Sequence, residues 1–288
     1  MSRASAPAAV RWTAYVSVAI VFAIACAFLS NWQFSRNAER AEQLTLVEQN
    51  YDAEPASLED VISPGGTLAA GDQWRPVALQ GEYLAEEQIL VRNRPHGGTA
   101  AFEVLVPFRL DDGRVLIVNR GWVPPGEDQP LPDVIPAPPE GEATVVARLR
   151  PAEQLPPSGR SAPEGQVPSI NPDLVASMVD PEVAADLELS AYGVMESEDP
   201  APATLPNAFA VPSEDPGPHL SYAVQWILFA IMGFVFIGYV IRTERQHRRE
   251  DAEDRARDAD APPRVRLPAR RTDRDMQDED SILDAAGR

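Results

Sequence analysis

Two long apolar segments, one near each end of the chain, constrain its fold more than any other feature of the sequence. The first runs from Trp12 to Ser30 and the second from Leu220 to Ile241, and neither contains a charged residue. A helix of about 20 apolar residues is long enough to cross the hydrocarbon core of a bilayer. We therefore predict two transmembrane helices, over residues 12–30 and 219–241, with a large domain between them.

Arginine residues set the expected orientation of these helices. Fewer arginines flank the two segments on the side of the central loop than on the other side. Four of them follow the second segment closely, namely Arg242, Arg245, Arg248 and Arg249. Basic residues near membrane spans are retained on the cytoplasmic side. We therefore expect a multi-pass protein of the plasma membrane, with residues 1–11 and 242–288 in the cytoplasm and residues 31–218 outside it. The mixed-charge tail has few large apolar residues and is predicted to be largely disordered from about residue 250.

A cleaved signal is the alternative for the first apolar segment, because Ala25-Cys26-Ala27 faintly resembles a processing site. The apolar residues continue to Leu29, so an uncleaved anchor is favoured. Cys26 is the only cysteine of the chain. The central domain is therefore expected to lack disulfides and thiolate metal sites.

The central domain is strongly acidic, which limits the partners it suits. Residues 31–219 contain 31 Asp and Glu against 11 Arg, a net charge of −20 in a chain of net charge −19. Such a domain is a poor binder of nucleic acids, although it suits a partner with a basic patch.

The sequence has no G-x-S-x-G, H-E-x-x-H, P-loop or C-x-x-C-H motif. A membrane-bound enzyme is therefore disfavoured, and covalent c-type haem is excluded.

Short alternating segments predict an α+β domain with a small antiparallel β-sheet, for which a barrel-like closure is one possible form. The clearest signal is a hairpin in which Asp111-Asp112-Gly113 joins two apolar strands. The predicted strands are 76–83, 88–93, 101–110, 114–120 and 142–150. Residues 38–49 predict a helix that continues from the membrane, and residues 173–180 and 181–187 predict two short helices.

Three segments in this order resemble the surfeit locus protein 1 family. They are the N-W-Q-F-S-R string at residues 31–36, the stretch from Arg94-Pro95 to V-N-R-G-W-V-P at 118–124, and H-L-S-Y-A-V-Q-W at 219–226. The resemblance covers about residues 12–245 and implies a factor that assists assembly of the haem a-containing cytochrome c oxidase, and not an enzyme. It implies transient binding of haem a and its insertion into the catalytic subunit, with other oxidase or supercomplex subunits as further partners. The alternative is an accessory scaffold subunit that stays on the oxidase and binds no haem.

His219 is the strongest candidate ligand, because a neutral imidazole at the outer start of the second span can bind a haem iron. Helical spacing places it on one stripe with Tyr222, Ala223, Trp226, Ala230 and Gly233. This stripe suits a flat macrocycle or close helix packing. The plain alternative is an interfacial belt of aromatic residues.

Other candidate cofactor contacts lie in the remaining two segments. Trp32, Gln33 and Arg36 are expected at the same membrane face, where Arg36 pairs with a haem propionate or reaches lipid headgroups. Arg120 is a less favoured contact, because the strand end at Asn119-Arg120-Gly121-Trp122 suits a structural role. Ala19, Ala23 and Ala27 form a small-residue face for helix packing.

Overall fold

A computed structural model describes residues 8–156 and 162–260. They form two compact units. The described residues before Gln33 and after Leu220 form a helical unit, and Gln33–Leu220 form a unit built around a β-sheet, here called the sheet unit.

The two apolar segments lie in two long helices. Helix α1 spans Ala8–Asn50 and helix α5 spans His219–Asp260. Both are long and apolar enough to cross a membrane, judged by length and composition. The helix predicted over residues 38–49 is the last part of α1, since no Gly or Pro interrupts the chain between them. Residues 250–260 are helical instead of disordered, and the rest of the predicted disorder lies outside the described residues.

Small residues pack the helices of the helical unit together. The hydroxyl of Ser30 donates a 2.9 Å hydrogen bond to the carbonyl of Ala223, and both residues are buried. Phe22 packs closely on Gly233, since a Cβ atom at position 233 would lie 3.0 Å from the ring of Phe22. The buried face of α1 includes Ala19, Cys26 and Ser30, whereas Ala27 of the predicted small-residue face is exposed. These buried positions are seven and then four residues apart, as on one face of a packed helix, and Ala27 lies off that face.

The sheet unit contains one eight-stranded sheet with three short helices. Its strands are β1 (Ala56–Ser57), β2 (Pro76–Tyr83), β3 (Ile89–His96), β4 (Thr99–Leu110), β5 (Val115–Val123), β6 (Glu142–Pro151), β7 (Gln166–Val167) and β8 (Ala191–Asp199). The helices are α2 (Leu58–Val61), α3 (Pro172–Ala176) and α4 (Pro181–Ala185). The five strands and both short helices predicted from the sequence are confirmed, with ends that shift by a few residues. The hairpin at Asp111-Asp112-Gly113 is confirmed too, with Gly113 at a φ of 91°.

The sheet is mixed instead of antiparallel. The strand order is β1-β2-β6-β8-β5-β4-β3-β7, and β2 also pairs with β4 through Gly81–Tyr83. Parallel pairs join β1 to β2, β3 to β7 and β5 to β8. The sequence did not predict β8, a central strand, because its residues include Glu, Ser and Asp, which disfavour strands. The barrel-like closure stays a prediction.

The apolar residues of the sheet unit form two buried clusters. One contains Leu79, Val106, Phe108 and Leu149, and the other contains Val91, Ile117 and Ile170 with residues of α3 and α4. Both α3 and α4 begin with a proline after a side-chain cap, supplied by Asn171 and Asp180. These helices are too short to be stable alone, so packing against the sheet holds them in place.

Candidate functional site

Gln33 and His219 are the two predicted site residues that the structure brings together. The Oε1 atom of Gln33 lies 2.9 Å from Nδ1 of His219, although the residues are 186 positions apart. Gln33 is buried on α1, and His219 is the first residue of α5. Both belong to the sheet unit. The N-W-Q-F-S-R and H-L-S-Y-A-V-Q-W strings of the sequence therefore contribute to a shared location through Gln33 and His219.

This hydrogen bond determines which ring nitrogen of His219 is free. An amide oxygen only accepts hydrogen bonds, so Nδ1 must carry the proton and donate it to Gln33. In a neutral imidazole the other nitrogen, Nε2, then presents a lone pair. Histidines that bind metals commonly donate their second nitrogen in this way, which fixes the tautomer and the orientation of the ring. The hydrogen bond thus gives His219 the tautomer that is common among metal-binding histidines.

Arg40 holds the segment that leads into His219. Its guanidinium donates to the carbonyl oxygens of Ser213, at 2.7 Å, and of Asp215, at 3.1 Å. Asp215 in turn accepts a 2.8 Å hydrogen bond from the backbone of Gly217, which has a φ of 72°. Arg40 lies two helical turns after Gln33 and so faces the same way. The sequence offered this spacing as a signal, but the partner of Arg40 is backbone and could not be read from it.

Trp32, Tyr222 and Trp226 lie in the helical unit. Trp32 and Tyr222 are about half exposed, at 51% and 46%. Trp226 is partly buried and its ring meets the ring of Phe229 edge to face at 5.7 Å. Ala223 is fully buried, so the predicted stripe on α5 is a packing face at this position. The exposed rings of Trp32 and Tyr222 remain available to a ligand or to lipid.

Arg36 and Arg120 occupy opposite environments. Arg36 is exposed on α1 and pairs at 2.8 Å with Glu39, one turn further on. Arg120 is only 1% exposed and makes two hydrogen bonds to the carboxylate of Glu198. A ligand can reach Arg36 without breaking a buried contact, whereas a contact with Arg120 would require one to break. This placement favours the structural role of Arg120.

His96 belongs to a polar network on one face of the sheet. Its Nε2 lies 3.2 Å from Glu103, which also accepts from Asn119 at 2.8 Å, and its ring stacks on Trp122 at 5.2 Å. Burial alone would lower the pKa of nearby Arg94, but Glu103 and Glu153 raise it overall. In the part of the chain that the structure describes, no three His, Cys, Asp or Glu side chains group as a metal site. A single imidazole, however, suffices as the axial ligand of a haem.

Comparison with known proteins identifies the family. The model of the SURF1 family matches residues 20–231. An uncharacterised SURF1-like protein of Mycobacterium tuberculosis is 35% identical over 247 residues, which cover 84% of this chain and 88% of that protein. The cytochrome oxidase assembly protein SHY1 of Saccharomyces cerevisiae is 26% identical over 133 residues, or 44% of this chain and 33% of the yeast protein. The matched region contains both Gln33 and His219, and the chain belongs to the SURF1 family.

Proposed function

We propose that this protein is an assembly factor for the haem a-containing cytochrome c oxidase, and that it binds haem a transiently before the haem enters the catalytic subunit. Membership of the SURF1 family supports the assembly role, as does the yeast relative that carries the name of a cytochrome oxidase assembly protein. The observation that carries the haem proposal is the hydrogen bond between Gln33 and His219. Such a factor needs no catalytic group of its own.

In this proposal His219 Nε2 is the ligand of the haem iron, and a ferric or ferrous haem supplies the colour and the redox activity of the complex. Gln33 accepts the hydrogen bond of the Nδ1–H group and so leaves Nε2 as the unprotonated nitrogen of a neutral ring. Arg40 fixes residues 213–215 and thereby limits the freedom of the turn at Gly217. Arg36, whose charge is exposed on α1, would contact a propionate of the haem.

One ligand and a semi-exposed position suit transient binding. His219 would hold the haem iron through one imidazole, and a recipient protein could supply a further ligand. His219 is only partly buried, so haem can leave without unfolding of the sheet unit. The acidic sheet unit would meet basic patches on the oxidase, with the catalytic subunit as the proposed partner and other oxidase subunits as further ones.

The test is the visible spectrum of the full chain, purified from cells that make haem a. The chain has three histidines, which makes a matched control available. We expect haem a bands in the wild type and in His247→Ala, whose histidine is exposed on α5, and their loss in His219→Ala. Gln33→Ala should weaken haem binding about 10- to 100-fold, as loss of a partner of a ligating histidine does.

Co-purification of oxidase subunits is measured in the same samples. A colourless wild type that still retains oxidase subunits would replace the haem proposal with the scaffold alternative. If His219→Ala bound as much haem a as His247→Ala, His219 would not be the ligand. Absence of oxidase subunits from the wild-type sample would contradict the assembly role itself.

A further inference from the structure

A cavity of about 650 Å³ opens within the sheet unit, at a location that the proposed haem ligand does not line. Its floor is the face of β6 and β8 that carries Arg148, Arg150 and Tyr192. Tyr51, just past the end of α1, also lines it, as do residues 208–210, 212 and 213. Cavities of roughly 300–1,000 Å³ are typical of sites for small molecules.

Four arginines line this cavity in a domain that is otherwise strongly acidic. Two of them are neutralised: Arg94 pairs with Glu153 at 2.6 Å, and Arg148 pairs with Glu196 at 3.1 Å. Glu103, the third acidic residue of the lining, accepts from Asn119 and lies 3.5 Å from Arg94. Arg40 is bonded to backbone carbonyls only. The positive charges of Arg40 and Arg150 are therefore not matched by a carboxylate in ion-pair contact among the described residues.

Two of these guanidinium groups lie on aromatic rings. Arg148 is 3.8 Å from the ring centre of Tyr51, and Arg150 is 3.9 Å from the ring centre of Trp74. The two rings are themselves 5.8 Å apart. A cation–π contact orients the guanidinium but uses none of its N–H groups as donors to oxygen. Within residues 8–156 and 162–260 the guanidinium of Arg150 donates no hydrogen bond, so its N–H groups are free for a ligand.

The backbone of Trp74 is strained to place its ring here. Its φ is 73°, in the left-handed region that a bulky residue rarely adopts. Hydrogen bonds hold it there, because the Trp74 amide donates to Leu149 at 2.8 Å and the Leu149 amide donates to Arg75 at 3.0 Å. Strain of this kind tends to be retained where a side chain must be positioned.

We infer that this cavity is a second binding site, for a planar conjugated molecule that carries carboxylates. The aromatic rings of Tyr51 and Trp74 offer a surface for a flat ring, and Arg150 with Arg40 offers donors for its carboxylates, since a planar guanidinium matches that group. Neither His219 nor Gln33 lines the cavity, so binding there does not depend on haem at His219.

The experiment uses the full chain in lipid nanodiscs and a water-soluble probe, 2,6-naphthalenedicarboxylate. Saturation-transfer NMR and fluorescence titration measure its affinity. The neutral probe 2,6-naphthalenedimethanol has the same ring without the charges. We expect the dicarboxylate to bind at least about tenfold more tightly, because hydrogen bonds to charged groups are the stronger kind. Arg150→Gln should weaken its binding by a similar factor.

Controls separate this site from the rest of the molecule. Arg109→Gln removes a partly exposed arginine that pairs with Asp186 and does not line the cavity, so it should bind the probe like the wild type. His219→Ala should do so too, which distinguishes this site from the haem proposal. Tyr51→Leu tests the stacking surface if Arg150→Gln does not fold, and it keeps the backbone carbonyl that accepts from Arg148. Equal binding of the two probes, or unchanged binding by both cavity variants, would overturn the inference.

Discussion

Arg120 and Glu198 form an ion pair that is almost entirely closed to solvent, with 2.5 Å between Nη2 and Oε1 and 3.1 Å between Nε and Oε2. The guanidinium also donates to the carbonyls of Pro136, at 2.8 Å, and Ala137, and lies 5.3 Å from the ring centre of Tyr83. The pair joins β5 to β8 and fixes the loop that precedes β6. It is therefore part of the scaffold that holds the sheet together.

Arg120→Ala should destabilise the sheet unit by about 3–5 kcal/mol, because it leaves the carboxylate of Glu198 buried without a partner. Thermal unfolding followed by circular dichroism in detergent measures this loss. Arg109→Ala is the control, since Arg109 pairs with Asp186 at a partly exposed position and should change stability by less than about 1 kcal/mol. Equal melting temperatures for the two variants would show that the buried pair contributes little.

Position 121 is one where only glycine fits. Its φ is 132°, and a Cβ there would lie 2.5 Å from the carbonyl oxygen of Asn207 and 3.0 Å from the Pro206 side chain. Gly121→Ala should therefore cost more than the roughly 1 kcal/mol of backbone strain, because overpacking adds about 1–3 kcal/mol. Gly113→Ala is the matched control, since Gly113 has a φ of 91° and open space around it. Urea unfolding of the two variants compares these costs, and similar costs would contradict the crowding at Asn207.

The periodic patterns of apolar residues account for the part of the fold that the sequence predicted. The apolar segments gave both long helices, and the alternation in β2 through β6 gave the central strands, because each pattern reflects burial on one face. Strand β8 was not predicted, because Met195, Glu196 and Ser197 do not alternate between apolar and polar residues. It is a strand because β5 and β6 supply hydrogen-bond partners on both sides, which no local pattern records.

The candidate site was predictable in part, because some of its polar residues lie at the ends of the apolar segments. His219 and Gln33 stood out as polar residues at the ends of apolar segments, and the structure joins them. The cavity in the sheet unit did not stand out, because Arg40, Tyr51, Trp74 and Arg150 come from separate segments. Only the Arg148-Leu149-Arg150 alternation, which puts both arginines on one face of β6, gave a local sign of it.

Tyr192 makes the stability of the sheet unit sensitive to alkaline pH. Burial, with a contribution from Glu153, raises the pKa of Tyr192 from 10.0 to about 12. The unfolded chain loses this proton near pH 10, while the folded chain keeps it until about pH 12. The unfolded state thus binds fewer protons in this window, so stability is full below pH 10 and falls as the pH rises toward 12.

Tyr192→Phe should remove this part of the pH dependence, because phenylalanine has no proton to lose. The measurement is the free energy of unfolding between pH 9 and 12, for the wild type and the variant. The wild type should lose on the order of 3 kcal/mol more than the variant across that range. Tyr15→Phe, at an exposed position of the helical unit, is the control and should leave the slope unchanged. Parallel curves for the wild type and Tyr192→Phe would contradict the buried, neutral phenol.

Arg40 provides the last prediction, because its hydrogen bonds hold residues 213–215 through three contacts of 2.7–3.1 Å. Arg40→Ala should speed amide hydrogen exchange in residues 211–217 by about tenfold, since one charge-assisted contact is worth roughly 1.5 kcal/mol or more. Exchange in β6 and β8 should not change. Arg36→Ala is the control, because among the described residues the guanidinium of Arg36 bonds only to Glu39 on the same helix, and its loss should leave the segment protected. If both variants exchanged like the wild type, some other contact would hold the segment that precedes His219, and the position of the proposed haem ligand would not depend on Arg40.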